Sequence, residues 1–137
     1  MKRYRKNDGS WYHKYASDAQ KVNGAMKMVT AYMAAGKTDL SMTDKLIDNC
    51  LALQTDPDAC NNFNLLLVLY FCSNNGSYRK DEIRQFCFNR LQKYRGFYWE
   101  DTGGFSFHKK HANSSYYGAK VSEGLEEPDI HGTHLFL

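Results

Sequence analysis

The chain has 137 residues, enough for one domain with a core of its own. Its 18 Lys and Arg stand against 15 Asp and Glu, a formal net charge of +3 with both signs mixed, which excludes the dense basic stripe of a nucleic-acid surface. The longest apolar run, residues 65–72, is too short to span a bilayer, and no apolar stretch follows the basic start as in a secretory signal. A cytoplasmic protein with four reduced cysteines is the expectation.

Residues Lys2 to Lys14 interleave basic and aromatic side chains, a pattern that can stack bases; the plainer reading is a frayed, solvated terminus. Ser17 or Asp18 then serves as an N-cap. Val22, Ala25, Met26, Val29, Tyr32 and Met33 follow at helical spacing, and Gly36 closes a helix over 18–36. A second helix, 42–53, follows Ser41, with Leu46, Ile47, Cys50 and Leu51 on its apolar face. A third, 58–73, opens at Asp58. Its segment Phe63 to Cys72 is apolar nearly all round, so burial on most sides is expected; length and leucine content favour helix over strand here. Asn74-Asn75-Gly76 is a turn, and a fourth helix runs over 80–94 with Ile83, Phe86, Cys87, Arg90 and Leu91 on one face. Residues 95–128, rich in Gly, Tyr and His, read as ordered loop with one helical turn near Tyr116 to Val121. A last helix starts at Asp129 and the chain stops inside it. The two prolines, Pro57 and Pro128, fall at element boundaries. The expected fold is all-α, one helical-hairpin domain over 1–137, with no sheet.

The chain also repeats itself. Asp8-Gly9-Ser10-Trp11 is similar to Thr102-Gly103-Gly104-Phe105, and each stands before a helix. Val22-Asn23-Gly24-Ala25 is similar to Ile130-His131-Gly132-Thr133. A competing register pairs Gly24-Ala25 with Gly118-Ala119; the start signal at Pro128-Asp129 favours the first.

These residues carry a resemblance. Asp8-Gly9-Ser10-Trp11 and Gly103-Gly104-Phe105 resemble the glycine–aromatic segments before inner helices of the α/α-toroid family, the terpenoid cyclases and protein prenyltransferase β-subunits. Asp58-Ala59-Cys60 and His131, each at a helix start, resemble the Asp-x-Cys and His that hold catalytic zinc in prenyltransferase β-subunits. The resemblance extends to an uncharacterised bacterial branch with this pattern. It implies a toroid-like array of helical hairpins, about half of a full toroid, zinc held by Asp58, Cys60 and His131, and an isoprenoid-like small-molecule ligand. The cyclases' DxDD motif is absent, Asp56-Pro57-Asp58 being a partial look-alike only, and the family's diphosphate-binding Arg, Lys and Tyr beside the Asp-x-Cys are not matched: Thr55, Asp56 and Asn61 stand nearby instead.

Read from the residues alone, Pro57-Asp58-Ala59-Cys60 and Pro128-Asp129-Ile130-His131 share one layout. A thiol in a helix's first turn favours the thiolate that zinc requires, and three protein ligands with one open position suit catalysis. The bland alternative makes Asp58 and Asp129 caps, Cys60 a packed thiol and His131 a groove residue. His108, His111, Tyr116, Tyr117 and His134 form a second constellation, suited to general acid–base work or ligand binding in a helical groove, or to plain aromatic packing. Glu126 and Glu127 read as catalytic carboxylates or as acids serving a helix start.

Three classes follow: a zinc-dependent prenyl-type transferase, a carbohydrate-binding or other groove module without metal, and an assembly fragment without chemistry. The unfinished last helix and the apolar third helix lead to the expectation of self-association or of a chain cut from a longer protein.

Overall fold

A computed structural model describes residues 4–53 and 58–137. Its helices are α1 (Asp18–Ala34), α2 (Thr43–Ala52), α3 (Ala59–Asn74), α4 (Lys80–Tyr94) and α5 (Ile130–Phe136). Four short strands lie between α4 and α5: β1 (Tyr98–Trp99), β2 (Gly104–Phe105), β3 (Ser115–Tyr116) and β4 (Ala119–Lys120). They pair as two separate antiparallel ribbons, β1 with β2 and β3 with β4. The expectation of an all-α array of helical hairpins without sheet is therefore wrong. The five helices fall close to their expected bounds, and the error lies wholly in residues 95–128.

The chain forms two compact units. The first takes α1, α2, most of α3 and the first half of α4. Helix α1 starts on a reciprocal cap: Gln20 N donates to Ser17 Oγ at 3.3 Å, and Ser17 N donates to Gln20 Oε1 at 2.9 Å. Helix α2 starts differently. Its N-cap is Met42, held left-handed at φ 58°, while Ser41 Oγ accepts a 2.8 Å hydrogen bond from Arg5 Nη1. Val22, Ala25 and Val29 of α1, Leu46, Ile47 and Cys50 of α2, and Leu65, Val68, Leu69 and Cys72 of α3 make one buried core. Burial raises the Cys50 thiol far above its ordinary value and carries the Cys72 thiol up to about 12. All four cysteines are thiols, not joined in disulfides.

From Arg5 onward the basic start is folded rather than frayed. Arg5 Nε donates to Gly9 O at 2.7 Å and its guanidinium lies 4.6 Å from the Trp11 ring centre. Ser10 is buried, and Asn49 Nδ2 donates to Asp8 O at 3.0 Å.

The second unit takes the first turn of α3, the second half of α4, both ribbons and α5. The Phe136 ring packs on Tyr94, Phe97 and Phe105, with centroids 4.6 to 5.2 Å apart. Arg90, expected on an apolar face, is buried because its Nη1 donates to Asn62 Oδ1 at 2.9 Å. The helical turn expected near Tyr116 to Val121 is instead the β3–β4 hairpin. Tyr117 and Gly118 form its two-residue loop at φ 48° and 83°, both left-handed, as the type I′ turn demands.

Each unit contains one close crossing of an extended segment over a helix. A Cβ on Gly24 would collide with the Trp11 carbonyl oxygen, and one on Gly132 with the Ser106–Phe107 peptide. Gly118 has open space around it. The surroundings thus pair Gly24 with Gly132, and Asn23 with His131.

Candidate functional site

In the second unit the starts of α3 and α5 are tied to one residue. Phe107 O accepts from Ala59 N at 2.8 Å, and Phe107 N donates to Asp129 Oδ2, also at 2.8 Å. Asp129 further accepts from Asn113 N at 3.1 Å through Oδ2 and from Gly132 N at 2.7 Å through Oδ1. It acts as the N-cap of α5 and as an anchor for two segments of the long connection. The layout read at Asp58 and Asp129 thus has a physical counterpart: Phe107 brings both helix starts to one place.

Around that anchor six rings stand in sequence, each against the next. The His111 ring stacks on His108 at 4.7 Å, and His108 meets Phe107 edge-on at 4.9 Å. Phe107 lies 4.5 Å from His131, which meets Tyr116 edge-on at 4.8 Å; Tyr116 meets Tyr117 at 4.5 Å. Tyr116 is 43% exposed and Tyr117 is 86% exposed, so the tyrosine end of this run faces solvent. Of the candidate groove residues, His108, Tyr116 and Tyr117 belong to the run, while His134 lies exposed in the last turn of α5. Glu126 and Glu127 are exposed before α5.

The hydrogen-bond partners fix what the imidazoles offer. The His111 Nδ1 lies 3.1 Å from Ala112 O, and a carbonyl only accepts, so Nδ1 carries the proton and Nε2 is left as an acceptor. Asn113 Nδ2 lies 3.5 Å from His131 Nδ1; a carboxamide nitrogen only donates, so His131 accepts there and presents Nε2–H as a donor. The Tyr116 hydroxyl is held above the usual phenol range, first by partial burial, then by the charge of Tyr117 and a hydrogen bond to it, and last by Cys60. Cys60 and His131 are therefore both neighbours of Tyr116.

The zinc set suggested by the resemblance does not fit this arrangement. Asp58 turns both oxygens to Asn61, accepting from its N at 2.7 Å and from its Nδ2 at 2.8 Å. The His131 Nδ1 faces the Asn113 carboxamide at 3.5 Å. Among the described residues no three of His, Cys, Asp and Glu are grouped to hold a metal ion. Of the expected ligands, Cys60 and His131 converge on Tyr116, and Asp58 serves the start of α3.

Phe107 and Asn113 carry no motif. One links two helix starts through its backbone and the other sets a tautomer, roles that only tertiary structure reveals. His111 was visible in sequence, but its acceptor nitrogen was not.

No family model matches the chain, and no curated protein and no solved structure matches it either. The toroid resemblance rests on its motifs alone. No helix among the described residues is long and apolar enough to cross a membrane.

Proposed function

We propose that the protein is a carbohydrate-binding module whose ligand lies along the ring run from His111 to Tyr117. The observation that carries this reading is the unbroken series of rings ending in two exposed tyrosines. Sugar rings have apolar faces that stack on aromatic planes and hydroxyl rims that both donate and accept. The imidazoles supply both complements, His131 as donor and His111 as acceptor. Tyr117 adds a second support. A bulky residue at φ 48° is strained, and the strain holds an aromatic ring at the hairpin tip where Asn or Gly would sit more easily.

The test is a titration of the untagged protein with a panel of neutral oligosaccharides, read by saturation-transfer NMR. The reading expects saturation transfer from the protein to the ring protons of a bound glycan, with Tyr117→Ala weakening binding roughly tenfold, the scale of one lost stacking contact. No transfer to any glycan would overturn it. So would stoichiometric zinc in elemental analysis of the same preparation, lost in Cys60→Ala, which would favour the prenyl-transfer class instead.

A further inference from the structure

The first unit holds a cleft of about 410 Å³ beside the crossing of the Trp11–Tyr12 peptide over Gly24. Its walls include Tyr12, His13 and Tyr15 from the extended segment and Gln20, Asn23 and Lys27 from α1. The residue types and their placement parallel the other unit. There the Ser106–Phe107 peptide crosses Gly132, and Phe107, His108 and His131 stand at the positions that Tyr12, His13 and Asn23 hold here. A glycine crossing thus presents an aromatic ring, an imidazole and a hydrogen-bonding helix side chain in both places.

The charge differs in a way that names the ligand. Among the described residues no carboxylate lines the cleft. Two carboxylates close in sequence to its walls are engaged: Asp18 accepts from Lys21 Nζ at 2.8 Å, and Asp8 binds the Tyr12 hydroxyl, which raises that phenol. Lys27 lines the cleft itself, and Lys14 and Lys21 stand over the Tyr15 and Tyr12 rings at 5.4 Å. Lys21 is paired with Asp18, so Lys27 and Lys14 supply the positive charge beside the cleft, and the carboxamides of Gln20 and Asn23 are suited to hydroxyls.

We propose that this cleft is a second binding site, for an acidic sugar of the uronate class, with Lys27 meeting the carboxylate and Tyr12 and Tyr15 flanking the ring. The choice of a sugar rests on the reading given for the other unit; the site and its preference for an anion rest on the cleft.

The experiment is an amide chemical-shift titration of the 137-residue chain with trigalacturonate, and with neutral galactotriose as its counterpart. Saturable shifts confined to residues 12–27, caused by the acidic trisaccharide and not by the neutral one, are expected. Lys27→Met and the solvent-exposed Tyr15→Ala should each weaken them roughly tenfold, with the circular dichroism spectrum unchanged. Tyr117→Ala should leave them in place. Equal response to the neutral sugar, shifts only in residues 105–131, or no shift at all would each overturn the proposal. Shifts at 12–27 with no neutral sugar bound elsewhere would sink the reading of the other unit and leave this one standing.

Discussion

Tyr117 separates stability from binding at a single position. Its left-handed backbone at φ 48° costs a residue with a Cβ about 1 kcal/mol, and Asn tolerates that conformation far better. Tyr117→Asn is therefore expected to raise the unfolding free energy by about 1 kcal/mol in urea titration while weakening glycan binding. A variant that loses stability would mean that the ring is held by packing rather than displayed. His131 shows how little a side chain's identity says until its neighbour is known. The sequence offers an imidazole at a helix start, which suits a metal. The carboxamide of Asn113, 18 residues earlier, turns it into a donor.

Helices α2 and α3 place Cys50 and Cys72 in the buried apolar core. Burial disfavours the thiolate, so the folded thiols hold their protons to higher pH than unfolded ones. Below about pH 8.5 both states are protonated and the thiols add no pH dependence. From there up to about 12 for Cys72, the unfolded chain releases protons that the folded chain keeps. Stability then falls with rising pH, by about 1.4 kcal/mol per unit for each such thiol. Urea midpoints at pH 7.5, 9 and 10 should fall steeply in the parent and less steeply in Cys72→Ala. Equal slopes would exclude the thiols as the cause. The helices around this core were legible from a 3.6-residue apolar period in α1 and α2, from the long apolar run of α3, and from start markers such as Ser17 and Asp58. The hairpins were not. Two-residue strands are too short to alternate, and Tyr117-Gly118 lacks the Asn or Asp that usually marks such a turn. The ring residues could be named from the sequence, but their order in space depends on Phe107, whose backbone joins α3 and α5.

Both compact units draw on α3 and α4, so neither has a full set of helices of its own. One cooperative transition is expected for the whole chain. Gly24→Ala in the first unit and Gly132→Ala in the second should each lower that same transition by roughly 2 kcal/mol or more, because the added methyl meets backbone that has nowhere to go. Gly76→Ala, where the space is open, should leave it nearly unchanged. Two resolved calorimetric peaks, only one of them moved by each substitution, would refute the shared transition. The paired crossings also constrain how the gene can drift. Every missense change one base away from a glycine codon encodes a residue with a Cβ, so neither Gly24 nor Gly132 has a mutational neighbour that fits. Descendants of this chain should keep both glycines even where the Tyr, His and Lys residues around them have been exchanged for others, and a lineage that has lost one should show a displaced segment at that crossing.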